Sequence, residues 1–338
     1  MFHNKKILIT GGTGTFGKAF VYKTLSKYNP KKIAIYSRDE HKQYEMKKDP
    51  FFKKHFKKLS FLIGDVRDGD RGDSVIREGY DFVVHAAAIK HIDIAENNPY
   101  ETVKTNIFGT HNIIESCTRH NVKKIVVLST DKAVSPKNLY GATKLVLEKM
   151  VTATNNYNNS TQSKFAIVRY GNVTGSRGSV IPFFLKQKEN GFLPLTDINS
   201  TRFNIEIEDA VIFVFKTFNL MEGGEIFIPK MKSYKLIDLA NAIVPKIKII
   251  ETGLRPGEKL HESLIASEEL SITHEFKDFF AIVPDSETRI WGLKKFCKKN
   301  NIRLVKNQRK EEYNSLNNKF FLKKNELLKL VNKIKKNY

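Results

Sequence analysis

Residues 129–144 read STDKAVSPKNLYGATK and gather hydroxyls, a carboxyl, amines and a phenol into one short stretch. Tyr140 and Lys144 lie four residues apart, so on a helix their side chains share a face. A tyrosine with a pKa of about 10 is a poor base at neutral pH, but an ammonium about 4 Å away contributes up to about 4 kcal/mol at an effective dielectric near 20. That corresponds to about three pK units, enough to bring the phenol towards 7 and make it a general base. Gly141 and Ala142 keep the surface between the two thin, so a ring could approach closely. Upstream, Asp131 and Lys132 offer a second pair able to move protons.

A base of this kind needs an electron acceptor, and the first turn of the chain has the form of a dinucleotide cradle. The strand-like KILIT runs into TGGTGTFG, which sets Gly11, Gly14 and Gly17 at a GxxGxxG spacing before the helix-like KAFVYKTL. Such glycines permit a tight turn and close backbone approach to a pyrophosphate, which meets the positive end of the helix. Thr13, Thr15 and Phe16 complete the turn and are expected at the cofactor. The next strand ends in IYSRDEHK, placing Ser37, Arg38, Asp39 and Lys42 where the adenosine ribose would lie. Arginine at that spot matches a 2′-phosphate, so NADP is expected rather than NAD. In GDVRD, Asp65 is expected to accept from the adenine amino group with Val66 packed near its ring; in HAAA, Ala86 lets the backbone pass close by, and His85 reads as structural.

Positioning these groups requires the elements around them. KILIT, KIAIYS, LSFLIG, DFVVHAA, KKIVVLST and KFAIVRY alternate with longer helix-compatible stretches. Runs apolar on both faces are buried parallel strands, and the alternation predicts a doubly wound α/β sheet. After Asn172 the rhythm breaks into Gly, Pro and polar residues, which predicts a smaller second lobe. The expected division is a dinucleotide domain over 1–172, with the chain returning to it around 203–230, and a mainly substrate-binding lobe over 173–338. Leu327, Leu330, Val331 and Ile334 fall on one face of a terminal helix expected to dock on that lobe.

A chain of 338 residues with 41% hydrophobic content buries a large core. Its net charge of +22 is spread through Lys- and Asn-rich segments, with no arginine-rich run or zinc-ligand spacing, so neither a specific nucleic-acid partner nor a metal is expected. Cys117 and Cys297 are too few for a disulfide framework, which suits a reducing compartment. The opening MFHNKKILITGG leaves no room for a signal sequence and no apolar run is long enough for a membrane span, so a cytoplasmic protein is expected.

Behind a dinucleotide loop, the Ser129–Thr130 strand end and the Tyr–Lys pair resemble the extended short-chain dehydrogenase/reductase family, over nearly the whole chain. The resemblance implies a Rossmann fold, a homo-oligomer, Thr130 as the hydroxyl beside Tyr140, and Asn106 as the upstream amide at the cofactor. Asp131–Lys132, with KHIDIAENNPYE, RYGNVTGSRGSVIPFF, GGEIFIPK and RPGEKLHE, is similar to the inverting nucleotide-sugar 4,6-dehydratases of that family, which act on UDP-N-acetylglucosamine at the start of pseudaminic acid synthesis. Retaining dehydratases carry Asp-Glu at that place.

What this implies is oxidation at C4 by Tyr140 and NADP, with Lys144 holding Tyr140 anionic. Water is then lost across C5–C6, with Lys132 as base and Asp131 as acid, and the hydride returns to C6. For Lys132 to act so, its pKa must fall by several units. Lys90, Asn172, Thr196 and Arg255 are implied at the UDP-sugar, Arg255 on the diphosphate, with the RGSVIPFF run containing Val180 around the uridine. Asn204 stands where relatives often carry an aromatic. The alternatives are a C5-retaining dehydratase, a 4-epimerase, and a non-enzymatic dinucleotide sensor or nucleic-acid binder, the last of which would be expected to have lost the Tyr–Lys pair.

Overall fold

Consecutive side chains of a strand point to opposite faces, so a strand apolar at every position persists only in a sheet covered on both sides. The computed structural model of the protein describes residues 1–157, 162–176, 178–283, 292–306 and 308–335. Six strands follow the six apolar runs: β1 (Lys6–Thr10), β2 (Lys32–Ser37), β3 (Leu59–Ile63), β4 (Phe82–His85), β5 (Lys124–Thr130) and β6 (Lys164–Tyr170). Three more come from the second half, β7 (Ile226–Pro229), β8 (Thr273–Glu275) and β9 (Phe279–Ile282), and the sheet order is 8-9-7-6-5-4-1-2-3. Pairing is parallel from β3 to β7, in register Ile7 to Ile33 and Ile7 to Phe82 on the two sides of β1, and turns antiparallel at β9. Ile7, Leu8 and Ile9 are all fully buried, as strands covered on both faces require. Helices α1 (Thr15–Lys27), α2 (Gly109–Arg119), α3 (Leu139–Tyr157) and α4 (Ile207–Leu220) provide that cover, α1 packing on α4 and α2 on α3. This is the doubly wound α/β architecture expected from the alternation. The order reverses between β1 and β4, and there the carboxyl ends of the strands open into a crevice.

Beyond residue 172 the chain builds a second core around Ile181, Phe184, Leu193, Leu239 and Ile243. Its strands are a three-stranded sheet (Asn172–Val173, Thr201–Ile205, Lys232–Lys235) and a parallel pair (Phe192–Leu195, Lys248–Glu251). The helix Lys324–Lys335 buries Leu327, Leu330, Val331 and Ile334, three of them in this second core. The chain re-enters the main sheet at 226–229 and again at 273–282; the second return is antiparallel, and no parallel-strand rhythm announces it. Among the described residues no helix is long and apolar enough to cross a membrane.

Arg169, on β6, ties the layers together. It is 1% exposed and uses all five of its N–H donors. Nε and Nη2 donate to Glu148 of α3 at 2.9 and 2.6 Å, Nη1 and Nη2 to Glu269 at 2.8 Å each, and Nη1 to the Leu264 carbonyl at 2.8 Å. Removing it would strand two carboxylates in the interior. Arg169→Met is therefore expected to lower stability by about 3–5 kcal/mol in urea denaturation; a loss below about 1 kcal/mol would contradict this role.

Candidate active site

The turn after β1 is pressed against its neighbours. Gly11 has φ +65, and a Cβ there would lie 2.9 Å from the Ala87 backbone nitrogen; a Cβ on Gly17 would lie 2.5 Å from Gly12. Gly14 caps α1 without a side-chain hydrogen bond, so among the described residues no side chain caps the first amides of this thirteen-residue helix at the crevice. This cradle fits the pyrophosphate of a nicotinamide dinucleotide. Thr13 Oγ1 donates to Ser37 Oγ at 3.3 Å across the turn. Asp39 accepts from the Lys42 amide at 2.9 Å as a helix cap and pairs with Lys42 Nζ at 2.5 Å, so its carboxylate is already engaged. Arg38 is more than half exposed, with Nη1 3.6 Å from Asp65 Oδ2. Asp65 accepts from the Arg67 amide and Nε at 3.0 and 2.8 Å, so the carboxylate expected at the adenine is held by Arg67.

All but one of the predicted residues line a single cleft of about 1930 Å³, which is roughly twice the usual upper size for one small ligand and gives room for two. Gly11, Thr13, Gly14, Thr15, Phe16, Gly17, Ser37, Arg38, Asp39, Lys42, Asp65, Val66 and Ala86 line one end. Thr130, Asp131, Lys132, Tyr140 and Lys144 also line it, as do Lys90, Asn172, Val180, Thr196 and Arg255. Asn106 does not. It is fully buried, bonds the Ile89 amide and carbonyl at 2.8 and 2.9 Å and Thr143 Oγ1 at 3.0 Å, and so braces the loop carrying Lys90 against α3. Within the RGSVIPFF run, Arg177 lies outside the described residues. His85 bridges Thr10 and Thr110 at 2.8 and 3.0 Å, and burial pushes its pKa down to about 3, the neutral structural histidine expected.

The reacting end departs from expectation in three ways. Gly141 does not make room for a ring: a Cβ there would lie 2.2 Å from the Lys132 carbonyl oxygen, so the glycine lets α3 seat directly on the Asp131–Ala133 turn. Lys144 does not bring the phenol of Tyr140 towards 7. Its Nζ donates to the Leu128 carbonyl at 2.8 Å, and burial lowers its own pKa to about 8. Tyr140 is pushed up to about 12 by burial, against which Lys132 and a hydrogen bond to Thr130 pull downward. Lys132, expected to lose proton affinity, gains it: burial lowers its pKa, but the Asp131 and Glu262 carboxylates, 3.1 and 3.2 Å away, outweigh burial.

Sequence reasoning missed Glu262. It lies 130 residues after Lys132 within KLHES, and no spacing rule joins them. The RPGEK turn brings it in. Asn138 Oδ1 caps α3 at the Gly141 amide, 2.8 Å, while Asn138 Nδ2 donates to the Gly257 carbonyl at 2.9 Å. Arg202 Nη2 and Thr196 Oγ1 both donate to Glu258, at 2.7 and 3.2 Å, and Arg255 stands exposed at the rim. Of nine buried side-chain polar atoms without a partner among the described residues, six belong to the cleft lining: those of Thr105, Ser129, Asp131, Asn172, Ser179 and Glu262. Buried polar groups are costly to leave unmade, so such a concentration marks a surface shaped for a polar ligand.

The class follows from the order of these parts along the chain: a glycine turn after the first strand, a threonine closing the fifth, and a tyrosine and lysine one turn apart on the next helix. That order defines an extended short-chain dehydrogenase/reductase, an enzyme class built around a nicotinamide dinucleotide. Within it, the chain belongs to the family described as polysaccharide biosynthesis protein, whose family model matches residues 7–284. It is 47% identical to a Campylobacter jejuni UDP-N-acetylglucosamine 4,6-dehydratase (inverting), over 98% of each chain. It is 40% identical to a UDP-glucose 4-epimerase of Rickettsia bellii, over 84% of each. The X-ray structure of Pen from Bacillus thuringiensis superposes with a TM-score of 0.88 at 36% identity, covering 99% of each chain.

In the ligand-free protein the Tyr140 phenol is expected to stay protonated well past neutrality. The ultraviolet difference titration of wild type against Tyr140→Phe should show no phenolate from this residue below about pH 10; an ionisation near neutrality would contradict the burial argument.

Proposed function

We propose that the protein is an NADP-dependent UDP-N-acetylglucosamine 4,6-dehydratase acting with inversion at C5. The product is UDP-2-acetamido-2,6-dideoxy-β-L-arabino-hex-4-ulose, and the reaction opens pseudaminic acid synthesis. The observation that carries this reading is the buried Asp131–Lys132 pair beside Tyr140. A reductase or a 4-epimerase needs the tyrosine, the lysine and a hydroxyl, whereas elimination of water needs a further acid and base. Identity of 47% over the full length to an inverting dehydratase supports the same conclusion, against 40% to a 4-epimerase.

NADP, when bound, would supply the hydride acceptor for C4 and the donor for C6, and in its oxidised form would bring positive charge into the cleft. The chain's own residues do the rest. Tyr140 takes the proton of the 4-hydroxyl, with Thr130 hydrogen-bonded to it, and Lys144 reaches the nicotinamide ribose. The 4-keto group acidifies C5–H, and the Asp131–Lys132 pair moves the protons of the elimination. Arg38 and Lys42 stand at the adenosine end, where the carboxylates of Asp39 and Asp65 are already paired; that arrangement favours a 2′-phosphate. Lys90, Asn172, Thr196 and the Val180 segment meet the UDP-sugar, and Arg255 its diphosphate. The working form is a homo-oligomer in the cytoplasm.

The test is incubation of protein stripped of nucleotide with UDP-N-acetylglucosamine in heavy water, followed by NMR. NADP should restore turnover better than NAD, and the product should be an L-configured 4-keto sugar with deuterium at C5. An unchanged sugar, a simple epimer, or a D-configured keto product rejects the proposal.

A further inference from the structure

Lys132 is held by carboxylates from two distant parts of the chain. Its Nζ lies 3.1 Å from Asp131 Oδ1 and 3.2 Å from Glu262 Oε1; the lysine side chain is 19% exposed and the acids only 1% and 4%. Each acid keeps one buried oxygen, Asp131 Oδ2 and Glu262 Oε2, with no partner. All three residues line the cleft. An Asp–Lys pair out of water can exist as an ion pair or as a neutral acid beside a neutral amine. A second carboxylate against the nitrogen decides between them, because it attracts the ammonium and has nothing to gain from the amine.

From this geometry we infer that Glu262 is a positioning residue for the elimination: it pins Lys132 as an ammonium, making Lys132 the acid for the departing 6-hydroxyl and Asp131 the base for C5. The inference rests on the dehydratase reading above and reverses the roles that resemblance implies for the pair. The electrons of the C5–H bond form the C5–C6 double bond, and the C6–O bond breaks with its electrons on oxygen. Lys132 protonates that oxygen to water while Asp131 keeps the C5 proton. The pair ends as a neutral amine and a neutral acid, and transfer of the proton from Asp131 to Lys132 across their 3.1 Å contact restores it. With Glu262 included, the cluster carries one net negative charge before and after.

The other groups facing this cluster are Arg202 and Tyr234 of the three-stranded sheet, Lys90 of the loop after β4, Tyr140 of α3, and Lys259 beside Glu262. The cations among them favour the neutral amine, so the carboxylates alone retain the proton on Lys132. Burial and Glu262 also raise the proton affinity of Asp131, which suits a base.

Competitive acetylation, read by mass spectrometry at the Lys132 peptide across pH, titrates this amine whatever the sugar. Glu262→Gln is expected to lower its midpoint by about one to three pH units. Glu262→Asp, whose carboxylate is drawn back by one methylene, should lower it less, and it serves if the amide variant does not fold. In turnover, Glu262→Gln should move the alkaline limb of the pH profile down by the same amount and slow elimination at least tenfold more than C4 oxidation, so that reduced nicotinamide accumulates. An unmoved midpoint in both variants, or faster elimination by Glu262→Gln at neutral pH, as a free amine base would give, overturns the inference. Wild-type protein that leaves the sugar unchanged overturns the functional reading instead, while the labelling still decides whether Glu262 anchors Lys132.

Discussion

An ammonium shared by two carboxylates out of bulk water is favourable only where rigid backbone holds all three, since desolvating each ion costs several kcal/mol before any attraction is gained. Much of the fold beyond the bare sheet supplies that rigidity. Asp131 and Lys132 sit on a turn at the end of β5, and α3 seats on that turn because Gly141 has no side chain. Lys259 Nζ donates to the Val134 carbonyl just beyond it. Glu262 exchanges bonds with Ser315, its amide donating to Ser315 Oγ at 3.0 Å and its carbonyl accepting from the Ser315 amide at 2.8 Å. The strand that follows it, Ser263–Ile265, is fastened to Arg169 through the Leu264 carbonyl.

The rest of the site takes its electrostatic character from the same burial. Burial shifts Tyr140, Lys144 and His85 towards their neutral forms, raising the first pKa and lowering the other two, and Lys144 at about 8 keeps its proton at neutral pH. Paired charge is concentrated on the Asp131–Lys132–Glu262 cluster and on Arg202 with Glu258 nearby. A phenol at rest, beside a cation already engaged by two anions, becomes a base only when further positive charge enters the cleft. The site is thus kept from abstracting protons until its ligands are assembled.

The sheet could be read from the sequence because buried parallel strands announce themselves as largely apolar runs, as KILIT through KFAIVRY do. The glycine turn and the Thr130, Tyr140 and Lys144 set were legible for a related reason: each is a local pattern, read within one turn of backbone. Glu262 was not, because its meaning depends on a contact across 130 residues. Arg169 read as an apolar strand interrupted by a charge, with nothing to reveal that Glu148 and Glu269 would meet it. The sign of the Lys132 shift followed Glu262 into the same blind spot. Asn106 was expected at the cofactor from the family resemblance alone, and sequence could not say that it braces the Ile89 backbone without lining the cleft. The late return of residues 273–282 was hidden because antiparallel edge strands lack the rhythm of the parallel core.

The central claim is that one hydrogen leaves C4 of the sugar and reappears at C6 of the same molecule, with water lost in between. The most direct measurement follows UDP-N-acetylglucosamine carrying deuterium at C4 through a single turnover in ordinary water, with the label located by NMR. Deuterium in the new C6 methyl group is the expected result. A methyl group without it, or label retained at C4, would contradict the account.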